Sequence, residues 1–381
     1  MNDGKQRINH HGQYKSVDLL LHLLANNISL GMKSNKEYDK IMTEIKSGLT
    51  GNANDDIKYL YQQGEYYKKH KLSKEITRDI GRIIFGLLPN EEREKFNNAL
   101  SQDFSQFDSA FEDATIKMQK GNPSKALKII ESAMKRMETK TGQRVFFSDD
   151  SINVYRSFRN IIEEILYREL VHGNSKHIVR ELPQSFFSLY MAHGCILVEL
   201  KRFDEAKVPL LKALGINPVS TVILFELGAV SQGQRDWKEL FRLTQEAHKL
   251  SYTKTDFARC YRNFGFYFIE QKQFDDAIAM YYASLIFDST ALQNVQSQLY
   301  YIHHLTQKQI VQPNNEQILA VFKKNNINFG IDKNVFKIIC ELGQMLETEK
   351  EYENAKHCYK LLFELTSIDE LKERIEKMPM D

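Results

Sequence analysis

Helix pairs repeated along the chain are the fold that the sequence predicts: an all-α protein, an α-solenoid with a helical N-terminal segment. Three observations predict it. Only 18 Gly and 7 Pro punctuate 381 residues rich in Lys, Glu, Leu, Ile and Ala, which favours helices over a turn-rich β architecture. No convincing strand pattern is visible. Four glycines, Gly194, Gly228, Gly265 and Gly343, also share nearly the same surroundings.

Four residues before each glycine stands a large side chain: Tyr190, Leu224, Tyr261 and Ile339. Nine after it comes an aromatic: Phe203, Trp237, Phe274 and Tyr352. Twelve after it come Ala206, Leu240, Ala277 and Ala355, and sixteen after it Leu210, Thr244, Tyr281 and Tyr359. Gly194 and Gly228 lie 34 residues apart, and Gly228 and Gly265 lie 37 apart. Antiparallel helices approach closely only where small residues cross, here Gly on the first helix and Ala on the second. One pair cannot bury its apolar face alone, so the units must stack. Pro218 ends a second helix and starts the next turn.

This pattern resembles the tetratricopeptide repeat. Tyr190, Gly194, Leu197, Phe203, Ala206, Leu210, Ala213 and Pro218 fill nearly the whole signature of one unit. The unit from Arg259 to Phe287 matches almost as well. The second unit carries Ser231 and Thr244 where apolar residues are usual; the fourth lacks the closing Pro and has Leu362 where a small residue is expected. The resemblance spans 186–289 and 336–367 and implies helix hairpins wound into a right-handed superhelix.

In chain order, residues 1–105 read as a helical segment. It includes "EYDKIMTEIKSGL", "DDIKYLYQQGEYYKKH" and "KEITRDIGRIIFGLL", the last stopped by Leu88-Pro89-Asn90. Residues 106–185 hold a degenerate unit around Phe111, Ala126, Ile130 and Ala133, with Gly121-Asn122-Pro123 as its turn. A loop at 139–151 and an amphipathic helix from Tyr155 ("YRSFRNIIEEILYREL") complete this region. Three repeat units occupy 186–289. The region 290–381 continues with "ALQNVQSQLYYIHHL" and "NEQILAVFKK", breaks at the Asn-rich "KNNINFGID", and holds a further unit at 336–367.

The composition narrows function mostly by exclusion. A net charge of +2 gives no general electrostatic case for nucleic acid or an anionic membrane, so nucleic acid is not expected as a partner. Cys195, Cys260, Cys340 and Cys358 form no CxxC pair and read as thiols in a reducing compartment. The N-terminal apolar run carries Asp18 and His22 without a small-x-small cleavage site, and no stretch reaches the ~18 uninterrupted apolar residues of a membrane helix. A cytoplasmic protein is expected. No phosphate-cradling loop, HExxH, GxSxG or kinase-like set is present, so no enzyme and no cofactor are expected. His10-His11 and His303-His304 stand alone; adjacent helical residues point about 100° apart and chelate one metal poorly. Arg159 to Glu163 and Glu164 to Arg168 are i,i+4 spacings, read as ion pairs on a solvated or interhelical face.

Tyr261, Phe264, Phe268, Phe274 and Tyr281 in the Cys260–Ser289 stretch first look like a stacking platform. The repeat register instead makes Tyr261, Phe264, Phe268, Phe274 and Tyr281 interior. By the family resemblance, the residues between them face the groove formed by successive first helices: Arg259, Arg262, Asn263 and Phe266, with Phe225 and Glu226 of the second unit and Met191 and Cys195 of the first. Two arginines and an asparagine beside apolar side chains suit an extended peptide or a partner helix. The same arginines would also pair with Glu226 or another neighbouring acid. Family members that hold chaperone C-termini need Lys and Asn where this chain has Met191 and Cys195, so that ligand is not expected. The resemblance implies a non-enzymatic scaffold or adaptor that binds a protein or peptide. An alternative is a peptide-sensing regulator like those of bacteria, with the N-terminal segment as effector. Its nearest DNA-reading candidate, "LSKEITRDIGRIIFGLL", carries an Ile83-Ile84-Phe85 run that argues for burial.

Overall fold

Helices account for nearly all of the regular structure. The structure, a computed structural model, describes residues 36–140, 149 and 152–379; the His10-His11 pair, the apolar run around Asp18 and most of 139–151 lie outside the described residues. The chain divides into two compact units. The first holds residues up to 100 with 152–155 and 174–180; the second holds 101–140, 156–173 and 181–379.

In the first unit, α1 (Lys36–Ser47), α2 (Ala53–Tyr66) and α3 (Ser73–Leu87) form a small bundle. Tyr38, Ile41, Met42 and Ile45 lie on one face of α1 at helical spacing and meet Leu60, Leu72, Ile76 and Ile80. Buried Asp56 closes the α1–α2 turn, accepting from the Thr50 N–H at 2.6 Å and the Gly51 N–H at 3.0 Å. Ile83 and Ile84 pack half-buried against this core, so part of the α3 face expected to be interior is indeed covered.

In the second unit, α4 (Asn90–Gln119, which begins in the first unit) and α5 (Pro123–Lys140) flank the Gly121 turn, with Gly121 at φ +68°. Between α5 and the repeats the sequence reading needs correction. Asn153–Arg156 forms a strand, β1, and the helix expected from Tyr155 begins only at Ile161 (α6, Ile161–Leu166). Asn160 stops it from starting earlier: its side chain accepts the Glu163 N–H at 2.9 Å and its own φ is −158°. A single π-helical turn, Tyr167–His172, follows, and Gly173 at φ +48° ends it. β2 (Ile178–Glu181) pairs with β1. Ile178 N–H donates to Ile152 O and Leu182 N–H to Arg156 O, so both strands run the same way around a helical crossover. Strands of four residues are too short to show an alternation in sequence.

Three hairpins follow: α7 (Gln184–Glu199) with α8 (Phe203–Ile216), α9 (Thr221–Gly233) with α10 (Trp237–Leu250), and α11 (Lys254–Glu270) with α12 (Phe274–Phe287). α5 packs on α7, α9 on both α7 and α8, and α11 on α10. Then come α13 (Leu292–Thr306) and α14 (Asn315–Lys324), both against α12, and a last hairpin, α15 (Lys333–Thr348) with α16 (Tyr352–Thr366), followed by α17 (Asp369–Lys377). α15 also packs against α6.

All four hairpins turn in the same way. Lys201, Arg235, Lys272 and Lys350, each seven residues after a repeat glycine, adopt φ between +57° and +65°. In the first hairpin Arg202 N–H reaches Leu197 O and Lys201 N–H reaches Val198 O, both at 2.9 Å. The same two bonds recur at 236/231 and 235/232, at 273/268 and 272/269, and at 351/346 and 350/347. This is the Schellman closure of a helix C-terminus, built here on a basic residue instead of glycine.

The glycines work somewhat differently from the crossing expected. A Cβ on Gly194 would lie 2.4 Å from Leu210, and one on Gly343 would lie 2.8 Å from Tyr359. The residue sixteen positions on, not the alanine at twelve, therefore lies directly over the glycine. In the second unit the sizes are exchanged: Leu240 stands at twelve and Thr244 at sixteen, and a Cβ on Gly228 would meet Leu240 at 3.5 Å, an ordinary contact.

The aromatic run is core. Tyr261, Phe264 and Phe268 are buried, as is Tyr281, while Phe274 is only half-buried. Tyr261 meets Phe322 edge-on at 4.9 Å and stacks with Phe329 at 6.0 Å, and its hydroxyl accepts the Gly330 N–H at 2.8 Å. His248 is buried against Phe257, Tyr261 and Phe264, and its Nε2 has no hydrogen-bond partner. Burial lowers its pKa to about 4, against a smaller opposing effect from Asp332.

Two measurements test this packing. Gly194→Ala is expected to destabilise by about 1–3 kcal/mol through overpacking, whereas Gly228→Ala gains helix propensity and raises stability by up to about 1 kcal/mol. Urea unfolding of the two variants gives shifts of opposite sign. For His248, the unfolded state binds the proton more readily. Its contribution is therefore intact above about pH 6.5 and is lost as pH falls toward 4. At pH 5 the loss is roughly 2 kcal/mol, and His248→Phe flattens the decline in melting temperature between pH 7 and pH 5.

Candidate functional site

The side chains expected at the groove are carried by the first helices of the three hairpins. Position within each helix follows the repeat: Met191 and Cys195 on α7, Phe225 and Glu226 on α9, and Arg259, Arg262, Asn263 and Phe266 on α11. The structure brings three of them into one contact. Arg259 Nη2 donates to Glu226 Oε1 at 2.9 Å, and its guanidinium lies 4.8 Å above the Phe225 ring. The Arg259 side chain is 37% exposed and that of Glu226 16%. Phe225, expected to line the groove, is buried at 3% and lies beneath this guanidinium; it serves as a base for the arginine and offers no open surface.

Arg262 points elsewhere. Its Nη1 reaches Asp288 Oδ2 at 3.3 Å. Asp288 also accepts the Thr290 N–H at 3.1 Å, capping the short turn after α12. The Thr290 hydroxyl, which also donates to Asp288, and then Arg262 hold its carboxyl below the usual range against the effect of burial. The Asn263 amide lies near Gly228, 3.9 Å from where a Cβ would stand. Phe266 packs edge-on against Trp237 at 5.8 Å. Met191 is half-buried on α7. Burial pushes the Cys195 thiol up to about 12, with Glu226 acting in the same direction, so it stays a neutral thiol at pH 7. Both arginines thus have acidic partners, yet each uses one of its five N–H donors in the ion pair.

A second polar cluster escaped sequence reasoning. The pairs Arg159–Glu163 and Arg168–Glu164 form as the spacing predicts, but Glu163 is fully buried and Glu164 nearly so. Glu163 accepts from Arg159 Nε at 2.7 Å, from the Arg159 N–H at 2.8 Å and from Asn217 Nδ2 at 2.7 Å. Asn160 Nδ2 donates to the Tyr252 hydroxyl at 3.1 Å. Asn217 follows α8 and Tyr252 follows α10, so the α6 turn is tied to the connections between successive hairpins. The i,i+4 spacing gave no signal that its acid is interior. The signal is long-range, 54 residues to Asn217 and 92 from Asn160 to Tyr252.

Among the described residues no group of three or more His, Cys, Asp or Glu is placed to hold a metal ion. His303 Nδ1 lies 2.7 Å from Lys308 O, while His304 packs against Tyr300. No helix among the described residues is long and apolar enough to cross a membrane.

Compared with known families, the chain matches the tetratricopeptide repeat model at residues 187–220 and 336–369. Each stretch is one repeat long, and each begins seven residues before a repeat glycine, Gly194 and Gly343. No curated protein matches the chain. The hairpins of α9–α10 and α11–α12, between the two matched stretches, carry the same glycine register and the same turn bonds. The chain therefore carries tetratricopeptide repeats at residues 187–220 and 336–369, and the two hairpins between them continue the pattern.

Proposed function

We propose that the protein is a non-enzymatic scaffold or adaptor that holds a protein or peptide partner along the face of α7, α9 and α11. The tetratricopeptide repeats support an interaction role. One observation carries the finer reading: Arg259, seated on Phe225 and tied to Glu226 through a single bond, remains part-exposed with donors to spare. A guanidinium held over a ring is pre-organised, so a partner's carboxylate or main-chain carbonyl gains its bond with little ordering cost. Ala192, Cys195, Val222 and Ala229 on the same helices are half-buried and short, leaving room for bulky partner side chains. Four free cysteines favour a reducing, cytoplasmic setting.

The test begins with affinity capture and mass spectrometry to identify the partner. Arg259→Glu plus Arg262→Glu is then expected to weaken its binding at least tenfold, about 1.4 kcal/mol, with the helical circular dichroism unchanged. Undiminished binding by the folded double variant would show that the partner sits elsewhere.

A further inference from the structure

A cavity of about 590 Å³ opens on the second unit, away from the residues of the proposed groove. Its walls are the start of α12, the end of α13, the connector from α13 to α14, and α14 itself. The volume falls within the range of ligand pockets. Phe274, Ile278, Ile302, Ile310 and Val321 give it an apolar lining.

The polar groups around the cavity are mostly unclaimed. The connector from Gln307 to Asn314 has no regular secondary structure, and the main-chain groups of Gln309–Gln312 bond to no protein group among the described residues. Gln273 stands at the N-cap of α12 without making a capping bond, and Gln309 and Gln312 are exposed. A carboxamide offers both donor and acceptor, and open main-chain groups offer the same pair, so together they match a peptide backbone. Lys272, Lys308 and Lys324 line the cavity beside Asp275 and Asp276. Asp276 is buried and occupied by Lys324 Nζ at 2.8 Å, which leaves two lysines facing one exposed aspartate. The excess charge is positive.

We infer that this cavity docks a short acidic peptide, whose main chain runs along Gln309–Gln312 and whose single large aliphatic or aromatic side chain fills the apolar lining. Pro313, which lacks an N–H, ends the pairing edge. This site does not depend on the groove around Arg259, and the experiment separates the two.

The probe is a set of fluorescein-labelled decapeptides bearing Glu on both sides of a central Leu, Phe or Trp, read by fluorescence anisotropy on the full chain. Matched peptides carry a central Ser, or Lys in place of Glu. Binding of the Glu-flanked apolar peptides at least tenfold tighter than either control is expected, with amide exchange slowed at 309–312. Ile278→Trp, which fills the cavity, and Lys308→Glu, an exposed change that leaves the fold intact, should each weaken binding at least tenfold. Arg259→Glu plus Arg262→Glu should leave it unchanged. The inference is overturned if no decapeptide binds more tightly than about 1 mM, or if the Ser or Lys controls bind as well. It is equally overturned if decanoate alone occupies the cavity, or if the arginine variant abolishes binding that Ile278→Trp and Lys308→Glu preserve.

Discussion

A hairpin of two helices holds its spacing only if the volume at their crossing is conserved, and this constraint organises the rest of the chain. Glycine on the first helix gives up its side chain so that Leu210, Tyr281 or Tyr359 on the second can lie across it. The second unit shows that the total volume matters more than any one residue type. Leu240 and Thr244 exchange the usual small and large positions, and Thr244 turns its hydroxyl back to Leu240 O at 2.8 Å, hiding its polar atom within its own helix. The Schellman turns fix the helix ends while these contacts fix the distance between them, so each first helix presents its remaining residues at a repeating angle.

Stacked hairpins leave a row of loop edges, and the insertion before the first repeat uses them. Asn217 and Tyr252 belong to successive connections, and both bond to the turn that carries Glu163. A carboxylate removed from water is tolerated only when its lone pairs are filled and an opposite charge is near. Arg159 and Asn217 meet both needs. The bond to Asn217 therefore couples the position of α6 to the spacing of the hairpins, and α6 in turn contacts α15 of the last repeat. In sequence β1 and β2 stand on either side of this insertion, and the helical crossover between them permits their parallel pairing.

What the sequence disclosed, and what it withheld, divides along the range of the interactions. Gly194, Gly265 and Gly343 with their partners at sixteen are local patterns within one hairpin, so the repeats were legible, as was the burial of Tyr261 and Phe264. The left-handed Lys201, Arg235, Lys272 and Lys350 were present in the same register but invisible, because a basic residue does not advertise positive φ as glycine does. Spacing alone left Glu163 on either a solvated or an interhelical face, and only partners far along the chain, such as Asn217, decide for the buried one. At the groove, the repeat register named Arg259 and Glu226 correctly as neighbours between adjacent first helices. It could not show that Phe225 lies under the guanidinium, since that depends on which rotamer the arginine takes.

The two proposed surfaces differ in how their charges are held, and that difference bears on what each can bind. Around Arg259 and Arg262 each guanidinium keeps an acidic partner and has N–H donors left over, so Glu226 and Asp288 offset part of a ligand's charge and the net gain comes mainly from shape and apolar burial. Along Gln309–Gln312 the main chain and the carboxamides bond to no protein group among the described residues, so a peptide adds bonds that the free protein lacks, while Lys272 and Lys308 favour acidic sequences. Selectivity at the groove should therefore follow the partner's fold and contour. At the cavity it should follow the partner's charge and a single anchoring side chain. A protein carrying both would hold one partner by its shape and another by a short tail, on the same stack of hairpins.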